Sequence, residues 1–247
     1  MTPEQIAAFI LVMIVGTYTQ TVTGFGMGMI VLGVVAQFDL TTITFASVII
    51  SLMMLANGSI ALKGKLEVLD RQALKYSIIG LVPALILGVF LLTYLSRDFA
   101  RILQGILGGA IFLGGVFIMM KPEPLKVRSG DFSFSVAGAT AGVLGGLFSI
   151  AGPPLVYQYY RQPFSIDNIR LSLLAIFLMM NIGRLIVLAI QGELTLDMLW
   201  IGLICVPAVS LATVAGRRFP PPFSDQTMRR LSFLLLVLIG ISLMLTA

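Results

Sequence analysis

The chain has 247 residues, of which 58% are hydrophobic and only 11% are charged, and its formal net charge is +5. Soluble domains carry roughly 25% charged residues, and so few charges could not cover the surface of a soluble domain of this length. The composition therefore excludes a soluble enzyme, a nucleic-acid-binding protein and a secreted disulfide-linked domain. It predicts an integral membrane protein built from helices, because runs such as residues 78–95 are apolar on every face.

Eight apolar stretches are long enough to cross a hydrocarbon layer of about 30 Å, which takes roughly 20 helical residues. In chain order they are residues 4–21, 42–62, 74–95, 101–120, 134–149, 169–190, 197–214 and 229–246. Two shorter stretches, 25–38 and 153–161, each follow a break that is rich in Gly or Gly-Pro. The sequence therefore predicts ten helical segments, eight long and two short.

Basic residues in the loops indicate how the short stretches run, because cytoplasmic loops are enriched in Lys and Arg. If the short stretches did not turn the chain, the basic residues would divide almost evenly between the two sides. If both stretches turn it, thirteen basic residues lie on one side and only Arg97 and Arg101 on the other. The count favours the second topology, with both termini outside. It leaves open whether each short helix crosses fully or is re-entrant.

The two halves of the chain resemble each other at an offset of 123 or 124 residues. The matching pairs are Phe25 and Phe148, Asn57 and Asn181, and Pro83 and Pro207. Because each half has five segments, an odd number, the second half should be inverted, as in many secondary transporters. The predicted fold is an all-α polytopic membrane protein with two inverted repeats, residues 1–120 and 132–247, joined by a cytoplasmic linker at 121–131.

The breaks before the short helices are the first candidate for a functional site. Gly and Pro at membrane depth free backbone N–H and C=O groups, which are tolerated only where protein or a water-filled cavity satisfies them. A helix that starts at such a break points free N–H groups and a positive dipole end at one place, and this favours an anion. The alternative is close helix packing, since Gly24 and Gly28, and also Gly138, Gly142 and Gly146, have GxxxG spacing. The paired breaks favour the substrate site.

Polar residues inside the spans are the second candidate. Asn57 and Asn181 occupy matching positions, where they either bond neighbouring helices or line the site. Arg184 costs at least about 2.5 kcal/mol at the centre of a span, so a functional role is expected, with snorkelling to the interface as the alternative. Tyr157, Tyr159 and Tyr160, with Gln158, are expected in an interfacial belt. The predicted substrate-binding residues are Gln20, Thr23, Gly24, Phe25, Gly26, Asn57, Ser149, Gly152, Pro153, Asn181 and Arg184.

Groups that would support catalysis are missing from the predicted spans. The sequence has no His, and no Asp or Glu lies in the interior of a predicted span, since Glu4 and Asp197 are the first residues of theirs. A P-loop, a GxSxG elbow and a metal-binding HExxH helix are also absent from the sequence. We therefore expect neither an enzyme nor a cofactor or a metal site.

Five segments, in this order, resemble a known family: TVTGFGMGMIVLG, ALKGKLEVLD, LVPALILGVFLLTYLS, GVLGGLFSIAGPPLVYQYY and IQGELTLDML. The chain resembles the TauE/SafE family of membrane permeases, often called sulfite exporters, over nearly its whole length. The resemblance implies two inverted halves and transport of a small anion such as sulfite, a sulfonate or sulfoacetate.

The expected function is that of a secondary transporter that exports a small anion by alternating access around the two breaks. Its expected partners are the anion and the lipid bilayer, with no nucleic acid, and a homodimer is a further hypothesis. Two alternatives stay open at this point, an anion channel of the same fold and a membrane scaffold subunit that does not transport.

Overall fold

The computed structural model describes residues 1–23, 26–62, 69–119, 124–150, 152–219, 234 and 237–245. Every regular element in these ranges is a helix. The helices are α1 (Pro3–Thr23), α2 (Met27–Gln37), α3 (Ile43–Leu62), α4 (Arg71–Asp98), α5 (Ala100–Met119), α6 (Asp131–Phe148), α7 (Gly152–Tyr160), α8 (Ile166–Ile190) and α9 (Leu196–Arg218). Residues 237–245 are also helical. Within the described ranges, four helices, over residues 71–96, 131–148, 171–190 and 196–216, are long and apolar enough to cross a membrane. The predicted all-helical membrane fold is confirmed.

Local sequence signals explain where several helices begin. Asp70, Ser165 and Thr195 precede α4, α8 and α9, and each side-chain oxygen accepts a hydrogen bond from the backbone N–H three residues later. Such caps satisfy donors that the first helical turn leaves free. The short helix α7 has nine residues. At 1.5 Å per residue it extends only roughly 14 Å, less than half the thickness of a bilayer core.

Several contacts between helices recur in both halves of the chain. α4 packs against α6, the first helix of the second half, and α9 packs against α1. The contact of α8 with α4 corresponds in the same way to the contact of α3 with α9. Helices α3 and α8, which correspond to each other, are also in contact. Exchanging the halves leaves this pattern unchanged, as expected for two related units around a pseudo-twofold axis.

The relative direction of α3 and α8 bears on the topology. Ser47, near the start of α3, accepts hydrogen bonds from Arg184, near the end of α8. One turn further along α3, Ser51 reaches the earlier α8 residue Asn181 through Ser149. The two helices are therefore antiparallel. Simple crossings without turns at the short helices would make them parallel, so this contact favours the ten-segment topology, while inversion of the whole second half stays a prediction.

The linker between the halves shows which helix ends lie together. The backbone N–H of Leu125 donates to the carbonyl oxygen of Arg161 at 2.8 Å, and that of Ser129 donates to Oε1 of Gln162 at 2.8 Å. Arg128 pairs with Asp131 at the start of α6, with 2.9 Å between Nη1 and Oδ1. Helix α7 therefore returns to the end of the bundle where α6 begins. The linker and the end of α7 therefore lie on the same side, as the ten-segment topology from the charge count requires.

The opposite end of the bundle is marked by a second contact. Thr93, near the end of α4, donates to Oε1 of Gln191 in the turn after α8, at 3.0 Å. The start of α4 lies beside the linker, where Asp70 is 3.7 Å from Nε of Arg128. Since α4 has 28 residues, its two ends separate the linker from the turn after α8.

Glycines bring the backbones of α4 and α6 close together. A Cβ atom on Gly142 would lie 2.5 Å from the carbonyl oxygen of Leu81, and one on Gly146 would lie 2.5 Å from that of Leu85. Gly138 faces the carbonyl oxygen of Ser77 in the same way. The packing interpretation of GxxxG spacing therefore applies to these three glycines of α6.

The expected aromatic belt is wrong for two of its residues. Tyr159 is completely buried, its hydroxyl lies 3.2 Å from that of Ser77, and its ring packs edge-on against Phe134. Gln158 is also buried, and it donates to the Ser133 hydroxyl. The reason is that α7 packs inside the bundle against α5, α6 and α8.

The topology can be tested with single cysteines on a Cys205→Ser background. We predict that Asp197→Cys is labelled by an impermeant thiol reagent added outside intact cells, whereas Lys126→Cys and Pro163→Cys are labelled only after permeabilisation. The reason is that the last two positions belong to the end of the bundle that carries the linker. Labelling of Pro163→Cys from outside would contradict the ten-segment topology.

The close contact between α4 and α6 predicts that one added methyl group destabilises the protein. We expect Gly142→Ala to lower the melting temperature of the purified protein, because overpacking against the Leu81 carbonyl costs about 1–3 kcal/mol. Gly109→Ala in α5 is the matched control, since no atom lies within 4 Å of its added Cβ. That control should melt at the wild-type temperature or slightly above it. Equal melting temperatures for the two variants would show that the helices do not approach as described.

Candidate functional site

The break before α7 turns the chain through a left-handed residue. Helix α6 ends at Phe148, and the next residue, Ser149, has a φ of 58°. At the repeat offset of 123 residues, its counterpart is Gly26, with a φ of 102°, just before α2. A left-handed conformation costs a residue with a side chain roughly 1–2 kcal/mol. Ser149 therefore needs stabilising contacts that Gly26 does not.

The described parts of the two breaks lie next to each other. Gly28, in the first turn of α2, faces the second break: a Cβ there would lie 3.3 Å from Cγ1 of Ile150 and 3.5 Å from the carbonyl oxygen of Ser149. Gly114 of α5 lies against both Met29 of α2 and Pro153 of α7. The starts of both short helices are thus held together by the same region of α5.

Arg184 lies in the bundle beside the second break, and its side chain has no exposed surface. Its Nε donates to the carbonyl oxygen of Gly146 at 3.0 Å. Its Nη1 donates to the Ser47 carbonyl and to the Ser51 hydroxyl, both at 3.1 Å, and Nη2 donates to the Ser47 hydroxyl at 2.6 Å. One side chain on α8 thereby joins α3 of the first half to α6 of the second half.

The partners of Arg184 are all uncharged. Among the residues that the structure describes, no carboxylate forms an ion pair with its guanidinium, whose acceptors are carbonyl and hydroxyl oxygens. A buried charge without a counter-charge costs several kcal/mol even when it is hydrogen-bonded. Complete burial also argues against snorkelling, because a snorkelling side chain would place its charged end in water.

A chain of hydrogen bonds extends from Arg184 to the left-handed turn. The hydroxyls of Ser51 and Ser149 are 3.1 Å apart, and Ser149 donates to Oδ1 of Asn181 at 2.7 Å. Nδ2 of Asn181 donates to the Phe177 carbonyl oxygen at 2.7 Å. We name the five residues Ser47, Ser51, Ser149, Asn181 and Arg184 the Arg184 cluster. All five are buried, and the bonds to Ser149 hold its backbone in the left-handed turn.

The cluster contains three of the eleven residues predicted from the sequence. Ser149, Asn181 and Arg184 lie together, and Gln20 of α1 contacts α3 just beyond Ser51, with Nε2 donating to Sδ of Met54 at 3.5 Å. Gly26, Gly152 and Pro153 flank the starts of the short helices. Gly24 and Phe25, and the side chains of Thr23 and Asn57, lie outside the described residues.

Sequence reasoning missed Ser47 and Ser51. Their spacing of four residues places both hydroxyls on one face of α3, and this was the signal available in the stretch TFASVIISLM. Ser hydroxyls in apolar helices commonly bond to their own backbone, and these two do so, with Ser47 donating to Thr44 and Ser51 to Ser47. Spacing by itself could not show that their oxygens also accept from a distant arginine.

The chemistry available at the cluster is anion recognition. A guanidinium and hydroxyls that can rotate supply donors without supplying an acid, a base or a nucleophile pair. Groups of three or more His, Cys, Asp or Glu that could hold a metal ion are absent from the described ranges. The start of α2, where Gly28 lies against the Ser149 carbonyl, brings backbone N–H groups near this region, whereas the start of α7 offers the N–H of Gly152, since Pro153 and Pro154 have none.

Comparisons with known proteins agree with this membrane architecture. The sequence model of the family described as "Sulfite exporter TauE/SafE" matches residues 8–243. The chain is 46% identical over 232 residues to a protein of Cupriavidus necator named "Probable sulfite/organosulfonate exporter TauE", and the match covers 94% of this chain and 91% of that protein. No solved structure matches the chain. Since the family match extends over almost the whole sequence, the chain belongs to the TauE/SafE family of sulfite exporters.

Proposed function

We propose that this protein is a secondary transporter that exports a small sulfur oxoanion, such as sulfite or an organosulfonate, across a bacterial inner membrane. The observation that carries the proposal is the completely buried guanidinium of Arg184, whose partners within the described residues are all neutral. The name of the Cupriavidus necator relative supports this class of substrate. The transported anion supplies the counter-charge that the cluster lacks.

The guanidinium suits an oxoanion because its donors form a planar fork. Two parallel N–H groups can bond two oxygens of one sulfonate-like group, which a lysine ammonium cannot do in the same fixed geometry. Hydrogen bonds to charged groups contribute about 1.5–3 kcal/mol each. The Ser51 and Ser149 hydroxyls, which donate to Ser47 and Asn181, add donors when they rotate toward the anion, and the start of α2 adds backbone N–H groups.

The position of the cluster suggests how binding is coupled to movement. Arg184 joins α3 to α6, so the hydrogen bonds that hold it also hold the first half of the chain to the second. An anion that takes N–H groups from the Ser47 or Gly146 carbonyl weakens this connection. Substrate binding then favours relative movement of the halves, as alternating access requires.

We propose both termini outside, and a homodimer as the oligomeric state.

Substitution of Arg184 tests the role of the charge. We predict that Arg184→Gln weakens methanesulfonate binding by roughly tenfold or more, with Arg184→Lys intermediate because it keeps the charge but loses the fork. Calorimetric titration of the purified, folded protein measures the affinity. Arg101→Gln is the matched control, since Arg101 is exposed at the start of α5, and it should bind as the wild type does. A folded Arg184→Gln variant with wild-type affinity would remove Arg184 from the site.

The start of α7 provides a test of the backbone donors. We expect Gly152→Val to fold, because no atom lies within 4 Å of a Cβ there, and to lose anion binding, because the added side chain blocks approach to the N–H of Gly152, the residue that precedes the two prolines of this turn. Gly26→Val is less informative, since the φ of 102° at Gly26 strains any larger residue. Gly130→Val is the control in an equally open position. Normal binding by Gly152→Val would mean that this break only serves packing.

Reconstitution distinguishes a carrier from a channel of the same fold. Proteoliposomes that contain only the purified chain should show saturable uptake of radiolabelled sulfite and accelerated exchange when sulfite is present on both sides. Flux that rises linearly with concentration, without exchange, would indicate a channel. The absence of flux would indicate a scaffold subunit.

A further inference from the structure

We infer that the Arg184 cluster selects its substrate by charge state, so that it takes sulfur oxoanions with a single negative charge and rejects dianions of the same shape. This inference rests on the proposed function, because it treats the cluster as the place where the transported anion binds. It goes further by naming which ionic form of the substrate is carried.

The first step is the inventory of charges on the helices around Arg184. α8 contacts α3, α4, α6 and α7, and the sequences of α3 and α7 contain no charged residue. The other charges of these helices lie near helix ends: Arg71, Lys75, Arg97 and Asp98 in α4, Asp131 in α6, and Asp167 and Arg170 in α8. Glu193 and Asp197 follow α8 in the turn and at the start of α9.

The second step is the distance of those charges from the cluster. Leu85 marks the level of the cluster on α4, because it lies against both Gly146 and Gly183. From Leu85 to Arg97 is about 18 Å along the helix, and from Gly146 to Asp131 is about 22 Å. Of the titratable tyrosines on α4 and α7, Tyr159 is the buried one, and its hydroxyl faces Ser77. Of the five residues in the Arg184 cluster, Arg184 is the one that carries a charge, and no carboxylate among the described residues forms an ion pair with its guanidinium.

The third step is the energy of bringing an anion to a single buried cation. The free energy needed to remove an ion from water rises with the square of its charge, whereas its attraction to one guanidinium rises only in proportion to the charge. A monoanion leaves the buried site neutral. A dianion leaves one negative charge without a partner, and the neutral hydroxyls of Ser51 and Ser149 cannot offset it.

The hydrogen bonds that the cluster can form do not distinguish monoanions from dianions. Hydroxyl groups rotate and can donate to any oxygen of a tetrahedral or pyramidal sulfur group. Methanesulfonate and sulfate have nearly the same size and differ by a methyl group in place of one charged oxygen. The pair therefore isolates charge from shape.

The experiment compares these two anions on the purified full-length protein by calorimetry, at constant pH and ionic strength. We expect methanesulfonate to bind at least about tenfold more tightly than sulfate. In a second arm, the apparent affinity for total sulfite should fall as pH rises across neutrality, because sulfite loses its proton there and becomes a dianion. The affinity for methanesulfonate, which stays a monoanion, should not change over the same range.

A matched pair of variants tests the charge rule within the protein. Ser51→Asp places a carboxylate beside the Arg184 guanidinium and makes the cluster neutral, so methanesulfonate binding should be lost. Ser51→Asn has nearly the same size and no charge, and it should retain clearly more binding than Ser51→Asp. Melting temperatures confirm that both variants are folded, and the wild-type comparison of anions does not depend on either variant.

The outcomes separate this inference from the proposed function. Sulfate binding as tightly as methanesulfonate, or sulfite affinity that rises with pH, would overturn selection by charge state while leaving the cluster as the anion site. Binding of neither anion by the folded wild-type protein would overturn both. Equal methanesulfonate affinity in Ser51→Asp and Ser51→Asn would also overturn the charge rule.

Discussion

The buried guanidinium of Arg184 is the interaction on which the centre of this protein depends. It draws together Ser47 and Ser51 of α3 and the Gly146 carbonyl of α6, and its neighbours fix the left-handed turn at Ser149. In a bilayer no water can replace these partners, so each polar group must find its acceptor inside the protein. Within the described part of the chain no carboxylate pairs with this positive charge, and this property suits the proposed transport of an anion.

Close approach of backbones makes this arrangement possible. Gly138, Gly142 and Gly146 let α6 lie directly against α4, which fixes the height at which α6 ends and the break begins. Gly28 lets the start of α2 reach the carbonyl of Ser149. In membranes, where lipid chains are as apolar as the helices, such contacts between small residues supply much of the association between helices.

The scaffold is symmetrical, but the site is not. Several helix contacts recur in both halves, and Gly26 and Ser149 turn the chain alike. The position that corresponds to Arg184 at the offset of 124 residues is Ile60, an apolar residue. In the proposed function the repeat provides the framework that moves, while a single charge, placed in one half and bonded to the other, provides the anion-binding chemistry.

The sequence by itself determined the helices, their approximate bounds, the two breaks and the position of Arg184 inside a span, because apolar length, Gly and Pro breaks and a charge inside an apolar span are local signals. It could not identify Ser47 and Ser51 as partners of Arg184, nor show that Tyr159 is buried. Those facts depend on which faces of distant helices meet, since Ser47 and Arg184 are 137 residues apart in the chain. Only the tertiary packing of α3, α6 and α8 decides that contact, because a hydroxyl on an apolar helix satisfies its own backbone equally well until a neighbouring helix brings a donor to it.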